Sequence, residues 1–363
     1  LRAYGDATGW LAAETKKFKY PGIQSCAGDG LCSTSCPMQI NTGEMIHDLR
    51  AQALPKGSAG YKVGDFAANH LSAVKSALRP VLSAAGSAPA VLGDTATEAG
   101  GRALSTRGMS MWSSAFPLAY YPHAIKTQPS ELKVVYFPSC INQTMGKSKG
   151  QSTPLIDKMV ALMEKAGYEV IFPKNMKNLC CGTIWESKGM PDIADRKAKE
   201  LDDALFEASD GGRYPVLCDQ SPCLHRMRNT IKRVKLYEPV EFIYEYLAPH
   251  LRFVQTDEPV ALHFTCSTRH MNLNDMFVAL AGMCTTKVVV PEEVGCCGFA
   301  GDKGFTDPEV NRYALRKLRK QLEAAGVKRG FSNSRTCEIG LTVNGGVPYQ
   351  SIAYLVDECT IKK

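Results

Sequence analysis

The feature that most constrains this chain is a duplication. Residues 132–363 contain the same order of cysteines and apolar runs twice. In the first copy the apolar run KVVYFPSC ends on Cys140. YEVIFP then precedes Cys180-Cys181-Gly182, and YPVLCD leads into Cys218 and Cys223. In the second, PVALHFTC ends on Cys266, KVVVP precedes Cys296-Cys297-Gly298, and GFSNSRTC reaches Cys337. The closing segments EPVEFIYEYL and PYQSIAYLVDE also correspond.

Helical patterns separate the apolar runs. Ser152 and Thr153 can cap the first helix, with Pro154 in its first turn, a stripe of Leu155, Met159, Leu162 and Met163, and Gly167 at its end. Ile193, Leu201 and Leu205 mark the next. In copy two a helix is expected from Thr306-Asp307-Pro308-Glu309, with Val310, Ala314, Leu318 and Leu322 on one face. Strands alternating with helices predict an α/β fold with a parallel sheet in each copy and right-handed crossovers. Most cysteines then fall at or just past strand C-termini, the crevice where open parallel sheets bind ligands.

Fourteen cysteines in 363 residues are too many for chance, and their arrangement is wrong for a disulfide scaffold. Adjacent cysteines bond to each other only by distorting the peptide between them. Metal ligation or redox chemistry in a reducing compartment is the better reading. The candidate ligands are Cys140, Cys180, Cys181, Cys218 and Cys223 in copy one, and Cys266, Cys296, Cys297 and Cys337 in copy two. Either set suits an iron–sulfur cluster, a zinc cage or a reactive dithiol. Cys284 and Cys359 lie outside the repeat and read as buried apolar residues. His225, His263 and His270 flank the cysteines and read as structural hydrogen-bonders.

A different cysteine motif precedes the repeat. Cys26-x2-Asp29-x2-Cys32-x3-Cys36-Pro37 follows the ferredoxin spacing C-x2-C-x2-C-x3-C-P, with Asp29 in place of the second cysteine. Such spacing predicts a [4Fe-4S] site in a mainly helical, ferredoxin-like half-motif. Asp29 is either an oxygen ligand to one iron or a turn-former. In two-cluster ferredoxins the cysteine before proline serves the other cluster. Cys26, Cys32 and Asp29 therefore cannot complete a cluster locally, and the missing ligands are expected on other sequence. The expected domains are 1–54, a partial ferredoxin-like segment; 55–131, a linker with an amphipathic helix on which Phe66, Leu71, Val74, Leu78 and Leu82 share a face; and cysteine-rich domains at 132–250 and 251–363.

Composition excludes less. No apolar run reaches the ~20 residues that span a bilayer, so a soluble or peripheral protein is expected, with the 66–82 helix read as a bridging helix packed on the core ahead of a membrane-surface or partner contact. A start at Leu1, without methionine or a signal-peptide pattern, is the start expected of a processed form or fragment. The net charge of +7 is dispersed, and no nucleic-acid motif, P-loop, nucleophile elbow or dinucleotide fingerprint is present.

The doubled Cys, Cys-Cys-Gly, Cys pattern resembles the cysteine-rich (CCG) domain pair of heterodisulfide reductase, of glycolate oxidase iron–sulfur subunits, of the anaerobic glycerol-3-phosphate dehydrogenase small subunit and of lactate-utilisation proteins. The stretch YPGIQSCAGDGLCSTSCPMQINTGEM is similar to the second ferredoxin motif of FAD-linked D-lactate dehydrogenases that fuse a flavin domain to such an iron–sulfur tail. The resemblance implies an FAD-bearing domain or flavoprotein subunit upstream, carrying the other ferredoxin motif. It further implies [4Fe-4S] clusters that pass electrons from a D-2-hydroxyacid, D-lactate above all, to a quinone or cytochrome, in a mitochondrial or cytoplasmic setting. Noncubane clusters of the heterodisulfide reductase type close with C-x2-C, whereas Cys218 and Cys223 stand further apart and copy two closes with Cys337 alone. Rival readings are a thiol–disulfide reductase and a zinc-stabilised interaction subunit.

Overall fold

A computed structural model describes residues 17, 19–93, 96, 100, 115–147 and 151–363. The latter part of the small-residue stretch Ser83–Ser105 lies mostly outside the described residues. Before the duplication come helices α1 (Thr42–Ala53), α2 (Ala59–Asn69) and α3 (Leu71–Leu92). Asn41 caps α1 by accepting the Gly43 amide, and Ser58 caps α2 by accepting that of Tyr61.

The two copies fold alike. Copy one contains β1 (Lys133–Phe137), α4 (Leu155–Lys165), β2 (Glu169–Ile171), α5 (Pro191–Ala208), β3 (Val216–Cys218), α6 (Ser221–Thr230) and β4 (Leu236–Tyr237). Copy two contains β5 (Val260–Leu262), α7 (Asn274–Cys284), β6 (Val288–Val289), α8 (Pro308–Ala314), α9 (Leu318–Ala324), β7 (Arg329–Phe331), α10 (Arg335–Gly345) and β8 (Tyr349–Gln350). The sheets run β2-β1-β3-β4 and β6-β5-β7-β8, parallel throughout. The expected α/β class with duplicated parallel sheets is thus observed. In each copy the strand order reverses beside the first strand, which opens a crevice at its C-terminal end.

Several local expectations change. Pro154 is the cap of α4 rather than part of its first turn, and neither Ser152 nor Thr153 supplies a capping bond. The helix expected through Val310 and Leu322 breaks into α8 and α9. Leu318 and Leu322 are buried while Val310 is exposed. The helix expected over Phe66–Leu82 is two helices, interrupted at His70. Leu71 is buried there, and Phe66 and Leu78 are exposed.

Segment 55–92 packs on copy one. The Trp185 indole donates to the Gly64 carbonyl (3.0 Å), and Arg196 pairs with Asp65 (2.6 Å). The Ser72 amide donates to Asn178 Oδ1 at 3.2 Å. Ala68 and Leu71 join the core of Val135, Phe137, Leu201, Leu205 and Met227.

One hydrophobic core runs through both copies. It contains Tyr136, Met159 and Phe242 of the first and Leu262, Phe277 and Phe331 of the second. The copies meet across matching positions. Aligning GFSNSRTC on the end of YPVLCDQSPC makes Gln220 the counterpart of Ser334, and Gln220 Nε2 donates to Ser334 Oγ at 3.0 Å. Nearby, buried Arg335 pairs with Glu338 (2.7 Å) and donates to Asn142 Oδ1 (3.1 Å) and the Gly146 carbonyl (3.2 Å), reaching from copy two into copy one. Segments Leu251–Phe253 and Thr360–Lys362 pair antiparallel and join the two tails. No helix among the described residues is long and apolar enough to cross a membrane.

Candidate metal centres

In copy one the chain leaves β1 at Phe137 and reaches Cys140 within three residues. Phe137 lies in register with Cys218, the last residue of β3. Cys180 Sγ is 3.8 Å from Cys140 Sγ, and Cys181 hydrogen-bonds Cys223. All four of Cys180, Cys181, Cys218 and Cys223 are buried. Copy two repeats this geometry: Cys266 and Cys296 lie 3.7 Å apart, and Cys297 and Cys337 3.0 Å apart.

Cys223 and Cys337 are each the third residue of the helix that follows the third strand, so they are counterparts. Cys218 matches Ser332. Each copy therefore presents a quartet: Cys140, Cys180, Cys181 and Cys223, then Cys266, Cys296, Cys297 and Cys337. Cys218 is a fifth cysteine without an equivalent, and its thiol faces the Gln220 carbonyl at 3.9 Å. This assignment was legible in the alignment of YPVLCDQSPC with GFSNSRTC, though the residue count alone obscured it.

The Cys-Cys-Gly element has a steric reason. Gly182 and Gly298 adopt φ of +90° and +70°. A Cβ on Gly182 would stand 2.4 Å from the Ala194 carbonyl oxygen, and one on Gly298 2.9 Å from the Asn311 Cα. In each copy the turn that aims two consecutive thiols inward thus presses its glycine against a helix. A side-chain donor also holds the second cysteine's carbonyl, Arg226 in copy one (2.9 Å) and Asn311 in copy two.

The thiols share protons unequally. The hydrogen bond from Cys180 holds the Cys140 thiol low, while Cys180 is pushed well above the ordinary range. Bonds with Cys180 and Cys223 hold Cys181 well down, and Cys223 is raised. In copy two Cys296 is lowered by its bonds to Cys266 and Cys297, both of which rise. Cys140 and Cys181 in copy one and Cys296 in copy two are thus disposed to be anionic, the condition a cationic metal reinforces. Two thiolates on one tetrahedral ion with bonds of about 2.3 Å stand about 3.8 Å apart. That distance is also van der Waals contact between unbonded sulfurs, so the fit rests on soft, buried, paired donors.

The ferredoxin-like motif is placed against both copies. Arg50 donates to the carbonyls of Ile23 (2.8 Å), Cys26 (2.7 Å) and Ser187 (2.9 Å), tying the motif to copy one. His270 Nε2 contacts the Asp29 carbonyl at 2.8 Å, tying it to copy two. Cys32 is exposed with its Sγ 3.0 Å from Thr42 Oγ1, and Cys26 and Cys36 are half-buried.

Asp29 departs from the expectation of a local iron ligand. Its Oδ1 accepts the Leu31 amide (3.2 Å), which is the turn-forming role. Its Oδ2 lies 3.1 Å from Cys266 Sγ and 3.4 Å from Cys296 Sγ, away from its own motif. Burial and the Cys296 charge raise its carboxyl above the ordinary value. Asp29, Cys266 and Cys296 bring ligand atoms within 4.8 Å of one another, the one such trio among the described residues. The ferredoxin-like motif alone is left with Cys26, Cys32 and Cys36, too few donors for a complete cubane.

The histidines divide. His225 and His270 lie ring against ring, 5.4 Å between centroids. His263 is buried, contacts Ser332 Oγ through Nδ1 at 3.3 Å, and is held near 4 by burial. Cys284 and Cys359 are buried in the shared core, as their position outside the repeat led us to expect, and their free thiols hydrogen-bond each other.

The family pattern described as "CCG: Cysteine-rich domain" matches residues 134–228 and 260–342. The chain carries two CCG domains. Both quartets lie inside the matched ranges. Lactate utilization protein A 1 of Bacillus mycoides (strain KBAB4) is 22% identical over 248 residues, 62% of this chain and 97% of that protein. Among solved structures, the aspartate racemase of Picrophilus torridus shows 8% identity, a TM-score of 0.27, and coverage of 64% of this chain and 95% of its own. An aspartate racemase homologue from Pyrococcus horikoshii OT3 shows 13% identity, a TM-score of 0.24, and coverage of 63% and 96%. At such scores the superposition does not define a shared fold, and the CCG domains are understood from their own geometry.

Proposed function

We propose that this chain is an electron carrier of a lactate-oxidising system and holds iron–sulfur clusters in its two CCG domains. The observation that carries the reading is the pair of thiol quartets, buried or half-buried, which long-range folding brings to equivalent sheet edges, with Cys140 and Cys180 3.8 Å apart and Cys266 and Cys296 3.7 Å apart. Bound there, iron–sulfur clusters would supply one-electron transfer. The chain's own residues supply thiolate donors, exclude water by burial, and fix each Cys-Cys-Gly turn through Arg226 and Asn311. The similarity to a lactate utilization protein supports the substrate class.

In the finer form of the proposal, the chain is the iron–sulfur part of an FAD-linked D-2-hydroxyacid dehydrogenase, with D-lactate as substrate. A flavin domain or subunit carries the other ferredoxin motif, and a quinone or cytochrome accepts the electrons. Cys26, Cys32 and Cys36 support this form, because they require donors from a partner motif to complete their clusters.

A second reading, zinc in one CCG domain, rests on the same four-thiol donor sets, whose Cys140–Cys180 and Cys266–Cys296 contacts are compatible with one tetrahedral ion. Iron, zinc and acid-labile sulfide, measured on protein purified without oxygen and combined with low-temperature EPR, separate the two. Matching iron and sulfide with an EPR signal on reduction is the expected result. Zinc without sulfide would overturn the electron-transfer reading.

A further inference from the structure

The equivalent thiol pairs of the two copies meet opposite chemistry. Over Cys140 and Cys180 the N-terminal helices place the ammonium of Lys75, which cannot ligate a cation. Over Cys266 and Cys296 the ferredoxin-like motif places a carboxylate oxygen. Asp29 is held for this by both ends: the Leu31 amide occupies Oδ1, His270 holds the main-chain carbonyl, and Oδ2 is left facing the two sulfurs. The residue is also part of the one trio of close ligand atoms among the described residues.

A second observation points to a missing ligand. His263 is 3% exposed, and its Nε2 has no hydrogen-bond partner. It sits in the field of the Cys296 thiolate. Leaving a buried imidazole nitrogen unpaired costs free energy unless something outside the chain satisfies it.

We propose that the ferredoxin-like motif and the second CCG domain build a single metal centre, in which Asp29 is an oxygen ligand beside the Cys266 and Cys296 thiolates. The inference rests on the metal–thiolate reading above and deepens it. The metal is a thiophilic ion, bound alone or as one iron of a cluster. Carboxylate among thiolates is the harder and more readily exchanged donor, so this centre has one replaceable position. The centre of copy one has thiolate donors only, with a cation nearby. A substitution that removes a ligand from the ferredoxin-like motif thereby gives the second CCG domain an oxygen donor beside its four cysteines.

Cobalt(II) is the probe, added to the full chain and to Asp29→Asn, Asp29→Cys and Cys296→Ser variants. The copy-two signal is the part of the sulfur-to-cobalt charge-transfer band that Cys296→Ser removes. We expect Asp29→Asn to weaken cobalt binding at that site at least tenfold and to shift its ligand-field bands. Asp29→Cys should restore binding and add charge-transfer intensity, which a merely structural aspartate would not do. Unchanged affinity and bands in Asp29→Asn would sink the assignment of Asp29 alone. A cobalt spectrum untouched by Cys296→Ser would instead remove the metal centre from copy two, and this inference with it. Sulfide lost together with iron from anaerobically purified Asp29→Asn identifies the metal as a cluster iron, and metal lost without sulfide identifies a single ion.

Discussion

Lys75 Nζ lies 2.7 Å from Gln143 Oε1, in a pocket closed by α3 and the turn after Cys140. Burial pushes the ammonium down to about 8, against the opposing pull of Cys140 and Cys180. A helix outside both CCG domains thus delivers a buried positive charge to the thiol pair of copy one. An anionic metal–thiolate centre is easier to reduce beside such a charge.

The consequence for redox poise is direct. Replacing Lys75 with Met should lower the midpoint potential of the copy-one centre, and replacing it with Arg should largely preserve it. A unit charge about 8 Å away at an effective dielectric near 20 is worth roughly 2 kcal/mol, or on the order of 100 mV for one electron. An EPR-monitored redox titration reads the shift, and equal potentials in wild type and Lys75→Met would refute the electrostatic role.

The quartet assignment separates two neighbouring cysteines. Cys223→Ser should lose the metal of copy one, because it removes the counterpart of Cys337. Cys218→Ser should retain it, because copy two carries Ser332 at that position. Metal and sulfide per chain, measured on both variants, decide between a four-thiol and a five-thiol site.

Alanine at either Cys-Cys-Gly glycine should be poorly tolerated. Both positions need a positive φ, and both lack room for a methyl group. Gly182→Ala should be the worse, since its Cβ meets a backbone oxygen at 2.4 Å. A loss on the order of 3 kcal/mol is expected, together with weakened metal retention. Urea unfolding of the purified variants measures the first, and metal analysis after gel filtration the second.

Glu238 predicts a pH dependence. The side chain is buried between the copies, accepting from Ser221 Oγ (2.7 Å) and Asn333 Nδ2 (2.9 Å). Burial outweighs these bonds and raises its pKa from 4.5 to about 7. The folded chain therefore binds this proton more tightly than the unfolded chain does. Between about pH 4.5 and 7 stability falls as pH rises, by up to roughly 3 kcal/mol from this group. Glu238→Gln should remove that part of the slope. The difference in unfolding free energy between wild type and variant, taken at pH 5 and pH 7, tests the sign; a difference that stays constant would exclude it.

The sequence by itself determined the duplication, the α/β class and the location of the cysteines at strand ends. These follow from local periodicity and from the repeated Cys-Cys-Gly, whose glycine requirement is local backbone sterics. It also contained the pairing of Cys218 with Ser332. Tertiary structure alone decided where the N-terminal motif goes. The ferredoxin spacing says which residues can share a cluster, but nothing local directs Asp29 to Cys266, 237 positions away. That contact depends on Arg50 and His270 reaching main-chain carbonyls in, or from, different copies, and such bonds leave no periodic trace. The apolar face of 66–82 favoured a helix packed on the core, but not where it packs or that it breaks at His70. Small residues such as Gly64 and Ala68 let α2 and α3 approach copy one closely enough to bury Lys75.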